Sequence, residues 1–295
     1  MEQGKQDRKS FIGGSDIASV MGLSRWKSPL ELWAEKTGQI VPEDISEKEH
    51  VQLGIELEDF VAKKFERETG MKVRRAPKIY ENATYPFIRC QVDRLIEKSE
   101  ELLEVKTCSA WKAKEWEGEE IPQEYILQVM WQLGCTGRKV GWIAVLIGGQ
   151  SFKYKRIDFD EKLWESMKES ALAFWKMVET LTPPQVIGMD NGFIVELYPK
   201  HNDQIKEASD DVNIAIAERQ ELRGHIDKMK ERIEEIEVKI KAVIGGNLGI
   251  KTDKYVATWK EQKRRTVDTQ MLKDDGLYEK YAKESSTRRF LIKNA

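Results

Sequence analysis

Between residues 222 and 243, the apolar side chains Leu222, Ile226, Met229, Ile233, Ile236, Ile240 and Val243 recur at spacings of 4, 3, 4, 3, 4 and 3. A seam of this period sustained over three heptads leaves one local solution, a continuous α-helix with a single apolar stripe. The run ends at Gly245-Gly246-Asn247-Leu248-Gly249, and the alternation of Tyr255, Ala257 and Trp259 beyond it predicts one strand of a small hairpin. The seam needs a cover. We expect it within the protomer, from the region around 161 to 180 or from the chain's own C-terminal tail, with a subunit or partner contact as the alternative. Upstream the pattern mixes helix and strand periods, and Pro183-Pro184 punctuates it. This predicts an α/β domain over 1–200 followed by a helical (heptad) and hairpin region over 201–295, a division that a chain of 295 residues readily supports.

Composition removes several function classes. Three cysteines, Cys90, Cys108 and Cys135, form no CxxC pair, which argues against a disulfide framework, a zinc ribbon or a four-cysteine cluster. Three histidines, His50, His201 and His225, show no HxxxH spacing, so a metal would rest mainly on carboxylates, the chemistry of magnesium or manganese. The net charge of −2 lacks the global basic excess of many nucleic-acid binders. Charge is instead segregated: residues 246–295 hold 12 Lys/Arg against 7 Asp/Glu, and residues 97–120 hold 8 acids against 4 bases. No apolar run approaches the roughly 20 residues a bilayer requires. Met1–Ser10 is polar with no apolar core segment, unlike a secretory signal, and the expected location is cytoplasmic.

Two strands are predicted at Ile88–Ile96 and Glu101–Thr107, joined by the polar turn Glu97-Lys98-Ser99-Glu100. Side chains alternate across a strand, so in Leu102-Leu103-Glu104-Val105-Lys106 the acid and the amine share one face while Leu103 and Val105 take the other. Asp93 lies within hairpin reach on the preceding strand. An Asp and a Glu on neighbouring strands can share a divalent cation, and a lysine beside them can orient or deprotonate a water: the parts of metal-assisted phosphodiester hydrolysis. A solvated cross-strand ion pair is the plainer account of the same residues.

Two helices sharpen the choice. If Gly54–Thr69 is helical, Ile55, Leu57, Val61, Ala62 and Phe65 form one stripe and Glu58 falls within it, an expensive place for a carboxylate that lacks a metal or an arginine partner. A second helix over Gln123–Cys135, entered after Pro122, is apolar around most of its circumference, yet carries Gln128 and Gln132 one turn apart. Buried amides need partners.

Near the N-terminus stands Arg8-Lys9-Ser10-Phe11-Ile12-Gly13-Gly14-Ser15-Asp16-Ile17-Ala18, where Gly-Gly-Ser leads into a helix start. Taken in order with Gly54-Ile55-Glu56-Leu57-Glu58, Asp93, Glu104-Val105-Lys106 and Tyr125-(x)2-Gln128-(x)3-Gln132, it closely resembles the YqaJ-type viral recombinase family, phage alkaline exonucleases related to lambda exonuclease within the PD-(D/E)xK nuclease superfamily. The resemblance covers roughly residues 8–180. It implies a restriction-endonuclease-like core, a central mixed sheet flanked by helices, with the long helix and hairpin as a C-terminal appendage. It further implies a Mg²⁺-dependent exonuclease, with Mn²⁺ as an alternative and two ions expected, that degrades one strand of a double-stranded DNA end 5′ to 3′ and leaves a 3′ single strand. By motif, Asp93, Glu104 and Glu58 would ligate metal with the Val105 carbonyl, and Lys106 matches the catalytic lysine. Arg8, Ser15 and Gln128 match a 5′-phosphate pocket, with Gln132 beside it.

The family also implies DNA ends and a strand-annealing recombinase as partners, a homo-oligomer that can be a ring, no membrane association, and a bacterial host or prophage origin. Two departures stand out: Val92 occupies the position of the family's proline, and Gln91 replaces a serine found in some relatives. The rival readings are another nuclease of the superfamily, endonuclease or helicase-associated, and a catalytically silent DNA-end-binding module.

Overall fold

In the computed structural model, which describes residues 8–76 and 78–292, the chain divides into two compact units between Leu197 and Tyr198. The polar stretch before Arg8 lies outside the described residues. In the first unit, two short N-terminal helices, α1 (Ile17–Val20) and α2 (Pro29–Lys36), precede the long α3 (Glu49–Thr69). Seven strands follow: β1 (Val73–Arg75), β2 (Ile79–Glu81), β3 (Arg89–Gln91), β4 (Arg94–Ile96), β5 (Leu102–Cys108) and, after helix α4 (Gln123–Thr136), β6 (Val140–Ile147) and β7 (Ser151–Asp158). Helices α5 (Glu161–Glu179) and α6 (Asn191–Leu197) close the unit.

The main sheet runs β1-β4-β5-β6-β7. Only β5 and β6 are parallel, with Glu104 opposite Ile143 and Lys106 opposite Val145; the other pairs are antiparallel. A parallel pair needs a crossover, and α4 with the 3₁₀ turn Ala110–Trp116 supplies it. The sheet is therefore covered twice. On one face, Val61, Ala62 and Phe65 of α3 pack on Leu103, Val105, Ala144 and Leu146. On the other, Val129 and Leu133 of α4 and Met167 of α5 join Leu102, Ile143 and Val145. The predicted alternation along β5 holds, and it turns Glu104 and Lys106 toward α4.

Three expectations are corrected. The single strand Ile88–Ile96 is two, because β3 pairs with β2 in a separate ribbon while β4 pairs with β5; the chain changes partners at Val92-Asp93. Helix α3 begins at Glu49 rather than Gly54, and Ile55 is 65% exposed rather than part of the core stripe. The third correction is in the second unit.

There, α7 (Asp210–Ile244) is the predicted long helix, followed by a hairpin of β8 (Gly249–Lys251) and β9 (Val256–Thr258). Gly245 at φ 54° ends the helix, in a backbone region that side chains disfavour. Gly249 is required by contact: a Cβ there would stand 2.3 Å from the Ala257 carbonyl oxygen. Ile244 is buried at the helix end, but the heptad seam is 37–71% exposed, so the tail does not provide the expected cover. The reason is length: after the hairpin, the chain forms only short helical turns at Thr269–Asp274 and Tyr278–Tyr281, too brief to match three heptads.

Candidate active site

Glu104 is the centre of the site. It lies at mid-strand on β5 and is 2% exposed, a position a carboxylate holds only with several donors. Lys106 Nζ and Gln128 Nε2 both donate to its Oε1, each at 2.6 Å, and Gln132 Nε2 donates to Oε2 at 2.6 Å. The one-turn spacing of the glutamines on α4 thus serves Glu104. Gln132 Nε2 also reaches the Gln91 carbonyl at 2.9 Å, which ties α4 to β3. The Gln132 Oε1 is buried and has no hydrogen-bond donor among the described residues.

Asp93 sits at the break between β3 and β4. Its Oδ2 accepts the Val105 N–H at 2.8 Å, which places it beside β5 despite the interruption. Burial first, and then the charge of Glu104, push the Asp93 carboxyl up to about 8, against the opposing pull of Lys106 and the Val105 amide. Lys106 feels burial as its largest influence, downward, but Glu104 and Asp93 outweigh it and hold the ammonium above its ordinary value. Its Nζ also lies 5.4 Å from the centre of the Tyr125 ring, a cation–π contact on α4.

Glu58 does not complete this group. Its carboxylate is bound to Arg94 Nη1, while Arg94 Nη2 takes Asp59 from the same helix. Arg94 Nη1 also donates to the Asp93 carbonyl at 2.8 Å, so the guanidinium ties the Asp93 backbone to α3. Among the described residues, no three His, Cys, Asp or Glu side chains gather as a ready-made metal cage. The expected convergence of three acids is therefore a convergence of two, Asp93 and Glu104. The physical cause is Arg94, the residue next to Asp93: its side chain is 4% exposed and so requires carboxylate partners. Glu58 remains close enough for its charge to add to the upward push on Asp93.

The N-terminal motif abuts this cluster. Arg8 Nη2 donates to Ser15 Oγ at 2.9 Å. The loop holding Ser15 is fixed by Asp16, whose Oδ2 accepts both the Gly13 N–H at 3.0 Å and Lys36 Nζ at 2.7 Å. Gly14 meets α4 at Gln128: a Cβ would lie 3.3 Å from Gln128 Cγ and 3.4 Å from its carbonyl oxygen. Arg8, Ser15 and Gln128 are thus brought into one neighbourhood, and Gln128 links it to Glu104. The sequence reading allowed an arginine partner for Glu58 without identifying Arg94, carried Tyr125 in the α4 motif without a role for its ring, and missed Lys36. Only Tyr125 had a usable signal, one turn before Gln128 and two before Gln132 on the face that meets β5.

The donor set suits a hard divalent ion. A buried and a half-buried carboxylate lie side by side, with Asp93 pushed up to about 8, and the orphaned Gln132 oxygen could accept a hydrogen bond from metal-bound water.

The comparisons agree with the fold. A model of the YqaJ-like viral recombinase domain matches residues 5–139. The uncharacterized protein YqaJ of Bacillus subtilis (strain 168) is 37% identical over 302 residues, covering 97% of this chain and 92% of that protein. Among solved structures, the alkaline exonuclease LHK-Exo from Laribacter hongkongensis shares the fold, at 21% identity and a TM-score of 0.51 over 59% of this chain and 91% of that one. Its complex with dAMP aligns with the same TM-score and coverage at 23% identity. With mixed sheet, buried acids and ordered motifs in place, the chain belongs to the YqaJ-like viral recombinase family.

Proposed function

We propose that this protein is a divalent-metal-dependent deoxyribonuclease that resects one strand of a linear DNA duplex 5′ to 3′. The observation that carries this reading is the Asp93–Glu104–Lys106 cluster, in which buried Glu104 accepts from Lys106 and the half-buried Asp93 beside them is driven up to about 8. Asp93 and Glu104 would hold Mg²⁺ or Mn²⁺, with the Val105 carbonyl as a further oxygen and room in the chemistry for a second ion. The metal would polarise the scissile phosphate and lower the pKa of a bound water.

The remaining work falls to the chain. Gln128 and Gln132 fix the Glu104 carboxylate in orientation. Arg94 holds the Asp93 backbone against α3. Lys106 keeps an ammonium beside the reacting phosphate; a cation held by Asp93 and Glu104 would weaken the hold that those acids have on its proton and so favour proton transfer at that nitrogen. Arg8 and Ser15, next to Gln128, would receive the 5′-phosphate and so register the enzyme on the end after each cut. The product, a 3′ single strand, is what a strand-annealing recombinase consumes. No helix among the described residues is long and apolar enough to cross a membrane.

Timed digestion of end-labelled linear DNA with Mg²⁺ tests the reading. The expected result is mononucleotide release from the 5′ end, faster with a 5′-phosphate than with a 5′-hydroxyl, and no cleavage of closed circles. Cleavage of circles would replace the exonuclease with an endonuclease, and binding of ends without digestion would leave a silent end-binding module.

A further inference from the structure

The seam of α7 has no part in the proposed chemistry and no cover in its own unit. In heptad register, Ile226, Ile233 and Ile240 occupy a, while Leu222, Met229, Ile236 and Val243 occupy d. All are 37–71% exposed along a helix of 35 residues. The edges of the seam are ionic. Position g carries Glu218, His225, Arg232 and Lys239, and position e carries Arg223, Lys230 and Glu237.

We propose that α7 pairs in parallel and in register with α7 of a second copy of this chain. The argument is the self-complementarity of those edges. In a parallel pair each g residue faces the e residue five positions on in the other chain, which sets Glu218 against Arg223 and Arg232 against Glu237, twice each by symmetry. An antiparallel pair aligned over the same heptads also opposes Arg223 and Glu237, but at its centre it sets Arg232 against Arg232 and Lys230 against Lys230, like-charge contacts that the parallel register avoids. At present Arg232 pairs with Glu235 at 2.6 Å and Glu237 with Lys241 at 3.2 Å, both along the exposed helix, and such pairs exchange partners at little cost. Isoleucine at Ile226, Ile233 and Ile240 with Leu222 and Met229, neither of them β-branched, at the first two d positions favours two strands over that half of the seam, whereas the β-branched Ile236 and Val243 at the later d positions add nothing to that preference. The inference concerns assembly and stands apart from the nuclease reading.

Two experiments on the full chain test it. Light scattering should show the Ile226→Lys/Ile233→Lys double variant at half the mass of the unsubstituted protein, with helical circular dichroism retained; an unchanged mass overturns the proposal. Leu222→Cys and Ile240→Cys, each oxidised alone beside the unsubstituted chain as control, should each give a disulfide-linked dimer, since parallel register places like positions together, whereas the antiparallel register sets Leu222 against Ile240. Linkage only when the two variants are mixed shows an antiparallel pair and overturns it. Within the parallel pair, Glu237→Arg should weaken association on the order of tenfold, and adding Arg232→Glu should restore it.

Discussion

Replacing Asp93 by asparagine is expected to stabilise the metal-free protein at alkaline pH while removing its catalysis. The folded site raises the Asp93 carboxyl from 3.8 to about 8, so folding favours the protonated form. That contribution is intact below the ordinary carboxylate value and is lost progressively as pH climbs to the folded value. A gap of about 4 units corresponds to about 6 kcal/mol once Asp93 is fully ionised. Asp93 keeps a solvent-facing edge, so we take about half, about 3 kcal/mol above pH 8 and under about 1 kcal/mol at pH 5. Asparagine retains an oxygen for the Val105 N–H and carries no charge to bury. At about 2–4 °C per kcal/mol for a unit of this size, the variant should melt roughly 6–12 °C higher at pH 8.5 in EDTA and within about 3 °C of the parent at pH 5. Thermal unfolding followed by circular dichroism at both pH values measures this. Equal shifts at the two pH values, or destabilisation at pH 8.5, would refute the electrostatic account. Saturating Mg²⁺ should reverse the order, because only the aspartate offers the ion a charged ligand.

Other outcomes follow from the same geometry. Lys106→Ala should abolish cleavage, by at least about 10²-fold, while DNA retention in a gel-shift assay changes little, since the lysine acts beside the reacting phosphate. Arg8→Ala should erase the preference for 5′-phosphate over 5′-hydroxyl ends and leave the rate on 5′-hydroxyl ends nearly unchanged, read from paired digestion time courses. Arg94→Ala should lower stability in urea titration by about 2 kcal/mol, less than a fully buried pair would lose, because Glu58 and Asp59 can rehydrate at the rim.

What could be read before any coordinates were the features encoded in local period. The alternation of Leu102–Lys106 placed an acid and an amine on one face, the spacing of Gln128 and Gln132 placed two amides on one stripe, and the heptads of 222–243 demanded a long helix. Each depends only on the geometry of a single strand or helix, which neighbouring residues specify. The tertiary structure decided the rest. That Asp93 stands at a break between two sheets follows from β2 claiming β3, and no residue near Asp93 records that competition. That Glu58 answers to Arg94 follows from a contact 36 residues apart in sequence, settled by which buried charge most needed a partner. Local periodicity fixes the direction in which a side chain points, but the object it meets is set by chain segments whose approach is governed by the packing of the whole core.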